Sequence, residues 1–433
     1  MLTLAATGDS IITRRLTAVR DPAFIGLTAL LRGADAAFTN LEITTPQPPM
    51  VPAPDAGLNM SAPAWVLDEL RGLGLNLFAV ATNHAVDYTF RGLMDTLEAL
   101  RSRGLVHAGG GATLGEARAP AYLETPSGRV ALLAAASSYS PGALGADPRP
   151  DALGRPGINP LRVVTDYVLD PRRMAMLKEI DEALGTAGST RWRQRLGIYP
   201  DPGPGITPFA GARFAEGESP HVRTRPHPRD MAEIERWIGD ARRQAGLVAV
   251  SLHAHHGQAG YTEDSSVADY LVEVAHRCID AGADAFLGHG PHVLRPIEIY
   301  RGKPIFYSLG NFLFQYETMA HYPAEMYERE GIGPEGTPAD KADAWALQRD
   351  GSPSGMHADP AYWESVVAVA RFQARRLTAL DLHPIVLGRT QERPERGTPV
   401  LASPEDGRRI LAQLAEISAP YGTRFHDGHV LLE

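Results

Sequence analysis

Cysteine is almost absent from this chain of 433 residues, Cys278 being the only one. A single cysteine excludes an internal disulfide framework and any zinc–thiolate site. It falls in the helix-like stretch VADYLVEVAHRCIDAG, where packing is its expected role. Long apolar runs are missing too, and none approaches the roughly 18 residues that a membrane-spanning helix needs. The opening MLTLAATGD carries no basic n-region, apolar h-region or small-residue cleavage site, so a cytoplasmic protein is expected. Basic residues are outnumbered, 42 Lys and Arg against 51 Asp and Glu, for a net charge of -9. With no basic stripe, neither nucleic acid nor an anionic membrane is an expected partner. An anionic substrate must then be drawn in by local charge, such as a metal.

What is present is an ordinary globular composition, 44% hydrophobic and 21% charged, over a length sufficient for a large core. Short apolar runs alternate with helical patterns in two parts of the chain, which is α/β layering. LTLAAT (2–7), AAFTN (36–40), Leu75–Ala81 and Val130–Ala136 read as strands. Ala64–Gly72 and Phe90–Arg103 read as helices, the latter with Leu93, Leu97 and Leu100 at helical spacing before Gly104 stops it. The alternation resumes with helix 229–245, strand Leu247–Leu252, helix 266–281, and strands Asp284–Leu287 and Pro304–Ser308. Residues 365–387 suit a strand hairpin and Pro404–Ile417 a final helix. Two intervals break the pattern, 139–228 and 316–362. The first is rich in Pro and Gly with one helical stretch near 171–186; the second is rich in turns and aromatics. Loops this long in one domain read as lids.

Chemistry gathers at strand ends. Asp9 follows LTLAATG, Glu42 follows AAFTNL, Asn83 and His84 follow LFAVAT, His253 follows LVAVSL, and His289 follows AFLG. In open α/β sheets, sites collect outside the carboxyl ends of strands. Carboxylate, amide and imidazole donors together suit Mn, Zn, Fe or Ni better than Mg or Ca. With more than four candidate ligands and no thiolate, the expectation is a pair of divalent transition-metal ions. Two ions about 3.5–4 Å apart clamp attacking and leaving oxygens.

These motifs resemble the CapA family, named for poly-γ-glutamate capsule proteins, within the calcineurin-like metallophosphoesterase fold. They are Gly8-Asp9, Asn40-Leu41-Glu42, Asn83-His84 in ATNHAVDYTFRGLMDTL, Ser251-Leu252-His253 before AHHG, GHGPHVLRPIEIYRGKPIFYSLGNFLF (288–314) and the late LAEISAPYGTRF. The resemblance spans essentially the whole chain. It implies a four-layer αββα sandwich with two lid-like insertions and a site on the strand-end rim. It assigns Asp9 to one metal, Glu42 to a bridging carboxylate, Asn83 to the second metal, His253 and His289 to one ion and His292 to the other. Mn is the leading metal. His84 becomes the acid for the leaving group, with Asp87 orienting it or capping a helix.

The chain departs from the wider metallophosphoesterase pattern. Ser10-Ile11 follows Asp9 where Asp-x-His is usual, no Gly-Asp-x-x-Asp occurs, and Thr82 replaces the glycine of Gly-Asn-His. Where many relatives read His-Trp-Gly, this chain reads His253-Ala-His255-His256-Gly257, which leaves the ligand as His253 or His255. His255, His256, Arg14 and Asn311 are candidates for substrate contact; for Asn311 a turn cap competes, and for Arg14 a helix start. Gly109–Gly111 reads as a flexible turn, since no Lys-Ser/Thr follows it. Arg295 and Glu298 read as an ion pair or rim contacts, and the aromatics of 316–362 as lid packing.

The expected chemistry is attack by a metal-activated hydroxide on a carbonyl or phosphoryl centre. Hydrolysis of an amide or peptide bond in a small or short acidic, carboxylate-bearing or γ-glutamyl-type substrate leads. A phosphoesterase and a non-catalytic part of a capsule-polymer machine are the alternatives.

Overall fold

In the strand Leu247–His253 every residue is buried, yet its side chains divide by parity. Leu247 and Ala249, with Val130, Leu132, Ala285 and Leu287 of the flanking strands, belong to one core. Val248, Val250 and Leu252, with Ala131, Leu133 and Phe286, belong to another. A strand buried on both faces needs apolar residues of either parity, hence the unbroken apolar runs in the sequence. The computed structural model from which this is read describes residues 1–54, 58–258, 260–262, 264–348 and 350–432.

This strand lies inside a six-stranded sheet in the order Ile297–Tyr300, Lys303–Phe306, Ala285–His289, Leu247–His253, Gly128–Ala136, Ala121–Thr125. Helices Pro228–Gln244 and Asp269–Ala281 cover its outer face. The first buries Met231, Ile234, Ile238 and Ala241 at spacings of three and four, one stripe of a helix. In the second, Cys278 is fully buried among apolar side chains, where desolvation pushes its thiol far up.

The inner face packs on a ten-stranded sheet. Its central strand, Leu2–Ile11, runs parallel to Ala36–Leu41 on one side and Asn311–Phe314 on the other, and antiparallel to Glu364–Gln373. Leu77–Ala79 and Val106–Ala108 extend it one way, and the hairpin Glu364–Gln373/Arg376–Val386 the other. Helices Pro22–Arg32, Thr89–Ser102 and Pro404–Ser418 add Leu27, Leu31, Leu93, Leu97 and Leu414 to the first core. The result is the four-layer αββα sandwich that the sequence implied.

The intervals read as loops hold more structure than that. Within 139–228, Val163–Leu169, Ile206–Phe209, Ala212–Glu216 and His221–Pro226 form a four-stranded sheet, joined by helices Pro171–Ala183 and Thr186–Arg195. Its strands escaped notice because they alternate with charge: buried Asp166 receives Arg213, Arg223 and Arg225 from two neighbouring strands, which holds its carboxyl down near about 2 against the cost of burial. Gly110–Gly111 is not a free turn but pairs with Gly157–Ile158. Within 316–362, helices Ala324–Arg329 and Pro338–Ala346 carry Tyr327 and Trp345, which pack on Tyr322 and Tyr316 of the segment before them.

Candidate metal centre

The central strand is irregular at the one position that matters most. Its register against Ala36–Leu41 shifts between Ala6 and Asp9, and against Asn311–Phe314 between Asp9 and Ser10. Such irregularities re-aim side chains. The preceding Gly8 is obligatory, because a Cβ there would stand 1.8 Å from the carbonyl oxygen of Gly310. Asp9 thus projects between the sheets, wholly buried. Its Oδ1 accepts from Asn40 Nδ2 at 2.7 Å and its Oδ2 from the Gly290 amide at 3.1 Å. Burial pushes its carboxyl up, against the pull of His292 and Asn40.

Opposite Asp9, His253 and His289 are register partners on adjacent parallel strands. Their Nδ1 atoms lie 3.1 Å apart, and His289 Nδ1 is 3.7 Å from Asp9 Oδ1. Ser251 Oγ sits 2.6 Å from His289 Nε2, which fixes that ring's other nitrogen. His253 Nε2 faces Glu42 Oε1 at 3.5 Å and His255 Nε2 at 3.2 Å. His292 Nδ1 stands 3.5 Å from Asp9 Oδ2 and 3.9 Å from Glu42 Oε2. Three overlapping donor sets result: Asp9/His253/His289, Glu42/His253/His255 and Asp9/Glu42/His292, the ligand atoms within each lying within 4.8 Å of one another. Burial, then the neighbouring imidazoles, holds His253 well below its usual value. Burial brings His289 down to about 3. Neutral imidazoles offer free lone pairs, the state a metal requires.

A divalent ion fits this donor set. Among the described residues, buried Asp9 is flanked by the imidazoles of His289 and His292 and by the Glu42 carboxyl, and Asn83 Oδ1 is buried without a hydrogen-bond partner. Buried polar atoms rarely lack partners, and a metal satisfies such an atom.

His84 stands beside the cluster, near enough to disfavour the charged forms of His253 and His255. Its Nδ1 donates to Asp87 Oδ2 at 2.7 Å, and the Met60 amide donates to the same oxygen at 2.6 Å. Burial pushes the Asp87 carboxyl up and His84 offsets it. Asp87 is not a helix cap: the following helix starts after Tyr88 without a side-chain cap.

The four residues expected to contact substrate are placed as follows. His255 converges with His253 on Glu42, so the structure brings both candidates to one donor set. His256 points away, its Nδ1 3.2 Å from Tyr270 Oη and 3.5 Å from Ser138 Oγ. Asn311 is completely buried; its Oδ1 accepts from His292 Nδ1 at 2.9 Å while its Nδ2 donates to the His292 and Tyr362 carbonyls. It therefore positions His292, whose φ of 62° is one a side chain rarely adopts. Arg14 belongs to no helix; it is bound to Thr318 and to the carbonyls of Arg393 and Arg396.

Arg295 and Glu298 form no pair. Glu298 binds His276 and accepts from Tyr307. Fully buried Arg295 donates to the carbonyls of His255, His256, Thr262 and Asp264, fixing the loop that carries two of the histidines. Asn40 and Ser251 stood in the quoted motifs without a role, although Asn40 lies two residues before Glu42, the strand spacing that shares a face.

A family model described as Bacterial capsule synthesis protein PGA_cap matches residues 3–316. The chain is 35% identical over 436 residues to the uncharacterized protein y4sH of Sinorhizobium fredii, covering 98% of this chain and 90% of that one. The PGA biosynthesis protein CapA of Bacillus subtilis is 41% identical over 111 residues, 25% of this chain and 27% of that protein. The capsule biosynthesis protein CapA of Bacillus anthracis is 23% identical over 320 residues, 72% of this chain and 60% of that protein.

Proposed function

Since the chain belongs to the bacterial capsule synthesis protein family, we propose that it is a metal-dependent hydrolase cleaving an amide bond in a carboxylate-bearing, γ-glutamyl-type substrate. The observation that carries this reading is the convergence of three carboxylate–imidazole donor sets beside a hydrogen-bonded His84–Asp87 pair. The names of the capsule and PGA relatives support the substrate class.

Asp9, Glu42, His253, His255, His289 and His292 would hold the metal, with Asn83 Oδ1 as a further donor. Mixed oxygen and nitrogen donors favour a transition ion, and manganese is our leading choice. When bound, the metal supplies Lewis acidity, which acidifies water and offsets negative charge on the scissile group. The protein's own part is positional. Asp87 holds the Nδ1 proton of His84, so Nε2 is the ring atom left to exchange a proton with the leaving nitrogen. Asn40 and the Gly290 amide fix both oxygens of Asp9, and Ser251 and Asn311 fix two of the imidazoles.

The test is to load the protein with Mn²⁺ and compare a γ-glutamyl amide with a bis-aryl phosphodiester. Amide cleavage is expected. Turnover of the diester alone would make it a phosphoesterase, and failure to take up metal would return it to a non-catalytic role in polymer assembly.

A further inference from the structure

The overall charge of -9 hides a local reversal. Residues 171–199 carry six Arg and Lys against three Asp and Glu, and one of those acids, Asp181, is buried against Thr186. The same stretch concentrates exposed apolar surface. Of the fourteen large apolar residues exposed among the described residues, seven fall between Met176 and Tyr199.

Their arrangement follows helix geometry. On Pro171–Ala183 and its C-terminal turn, Met176, Ile180 and Leu184 recur every four residues and face solvent, while Met174 is buried underneath. On Thr186–Arg195, Trp192 and Leu196 form the outward ridge, opposite buried Ala187. At 100° per residue, Arg193 flanks that ridge on one side and Arg191 and Arg195 on the other. Beyond the helix end, exposed Tyr199 has the Arg193 guanidinium 5.2 Å above its ring. Amphipathic helices normally turn such stripes inward; two neighbouring helices that turn them outward mark a surface awaiting a partner.

We propose that this helical pair docks on an anionic lipid bilayer, its Trp192–Leu196 and Met176–Leu184 ridges entering the headgroup boundary and its arginines meeting the lipid phosphates. Apolar ridges flanked by basic residues are the pattern of helices that lie in the interface plane. The charge selects this occupant: two copies meeting ridge to ridge would oppose net positive surfaces. The local reversal also explains why a sequence-wide charge count argued against a membrane. The inference is independent of the hydrolase reading, since no helix in it carries a metal donor.

The experiment is sedimentation of the full-length protein with phosphatidylcholine vesicles, with and without phosphatidylglycerol. Binding is expected only to the anionic vesicles and should weaken with salt. Joint replacement Trp192→Ser and Leu196→Ser should cut partitioning at least roughly tenfold, as should Met176→Ser with Ile180→Ser on the other helix. Arg193→Gln with Arg195→Gln should also cut it roughly tenfold and flatten the salt response. Unchanged circular dichroism and metal content identify variants that fold. No binding of the parent to anionic vesicles, or variants that bind as well as the parent, would overturn the proposal. So would self-association that Trp192→Ser abolishes, which would assign the ridge to a second copy.

Discussion

The two sheets bring different chemistry to a shared rim. From the ten-stranded sheet and the loops leaving it come Asp9, Glu42 and Asn83, a wall of oxygen donors; from the six-stranded sheet and its loops come His253, His255, His289 and His292, a wall of imidazoles. The oxygen wall brings carboxyl groups into a buried site, where desolvation pushes Asp9 up. In the nitrogen wall, burial pulls His253, His255 and His289 toward the neutral form. Neither wall alone makes any of the three donor sets, each of which takes atoms from both. A metal in this position would therefore tie the layers of the sandwich together.

Four measurements break or sharpen that contrast. The largest effect belongs to Asp9→Ala, which removes an anion common to two donor sets. Metal content by atomic emission should fall close to zero and turnover to background; full retention of metal would mean that the oxygen wall is not the anchor. His84→Ala should lower turnover by about 10²–10⁴-fold with metal content preserved. Loss of metal there would instead move His84 into the imidazole wall. Asn311→Ala touches the nitrogen wall only from behind, and should weaken metal affinity about 10–100-fold by freeing His292. The smallest effect is one of pH on metal-free protein, read from denaturant midpoints at pH 7 and pH 5. His253 and His255 are held below their ordinary value, and His256 and His289 near about 4 and 3. The unfolded chain therefore binds protons first as pH drops below about 6.5, and stability falls. Asp9, raised in the folded state, pulls the other way. A midpoint that rises on acidification would show the carboxylate outweighing the imidazoles.

The rim was legible in the sequence because its donors sit at the ends of unbroken apolar strands, where a polar residue is conspicuous. Asn40 and Ser251 lie inside such strands and carried no role beyond membership of a motif; only the registers Asp9–Asn40 and His253–His289 show what they face. Arg295 was read as half of an ion pair or a rim contact because its partners are carbonyl oxygens, which every residue owns and no sequence marks. The accessory sheet was hidden for another reason: Asp166 and its three arginines replace the apolar alternation by which strands are found. Asn311 was noticed, but sequence alone gives no direction to a side chain, and it turned out to serve a histidine.

Leu2–Ile11 is made before the strands that flank it, yet stands in the middle of its sheet between partners at 36–41, 311–314 and 364–373. At ribosomal speeds of about 5–20 residues per second, its second edge waits on the order of tens of seconds for residues 311–373 to appear. For that interval the nascent chain holds Asp9 on an open sheet edge, with its amides free to pair with anything extended. The centre is thus closed by a late event in synthesis. A chain cut short before residue 311 keeps many of the donors yet lacks the strand that seals them in.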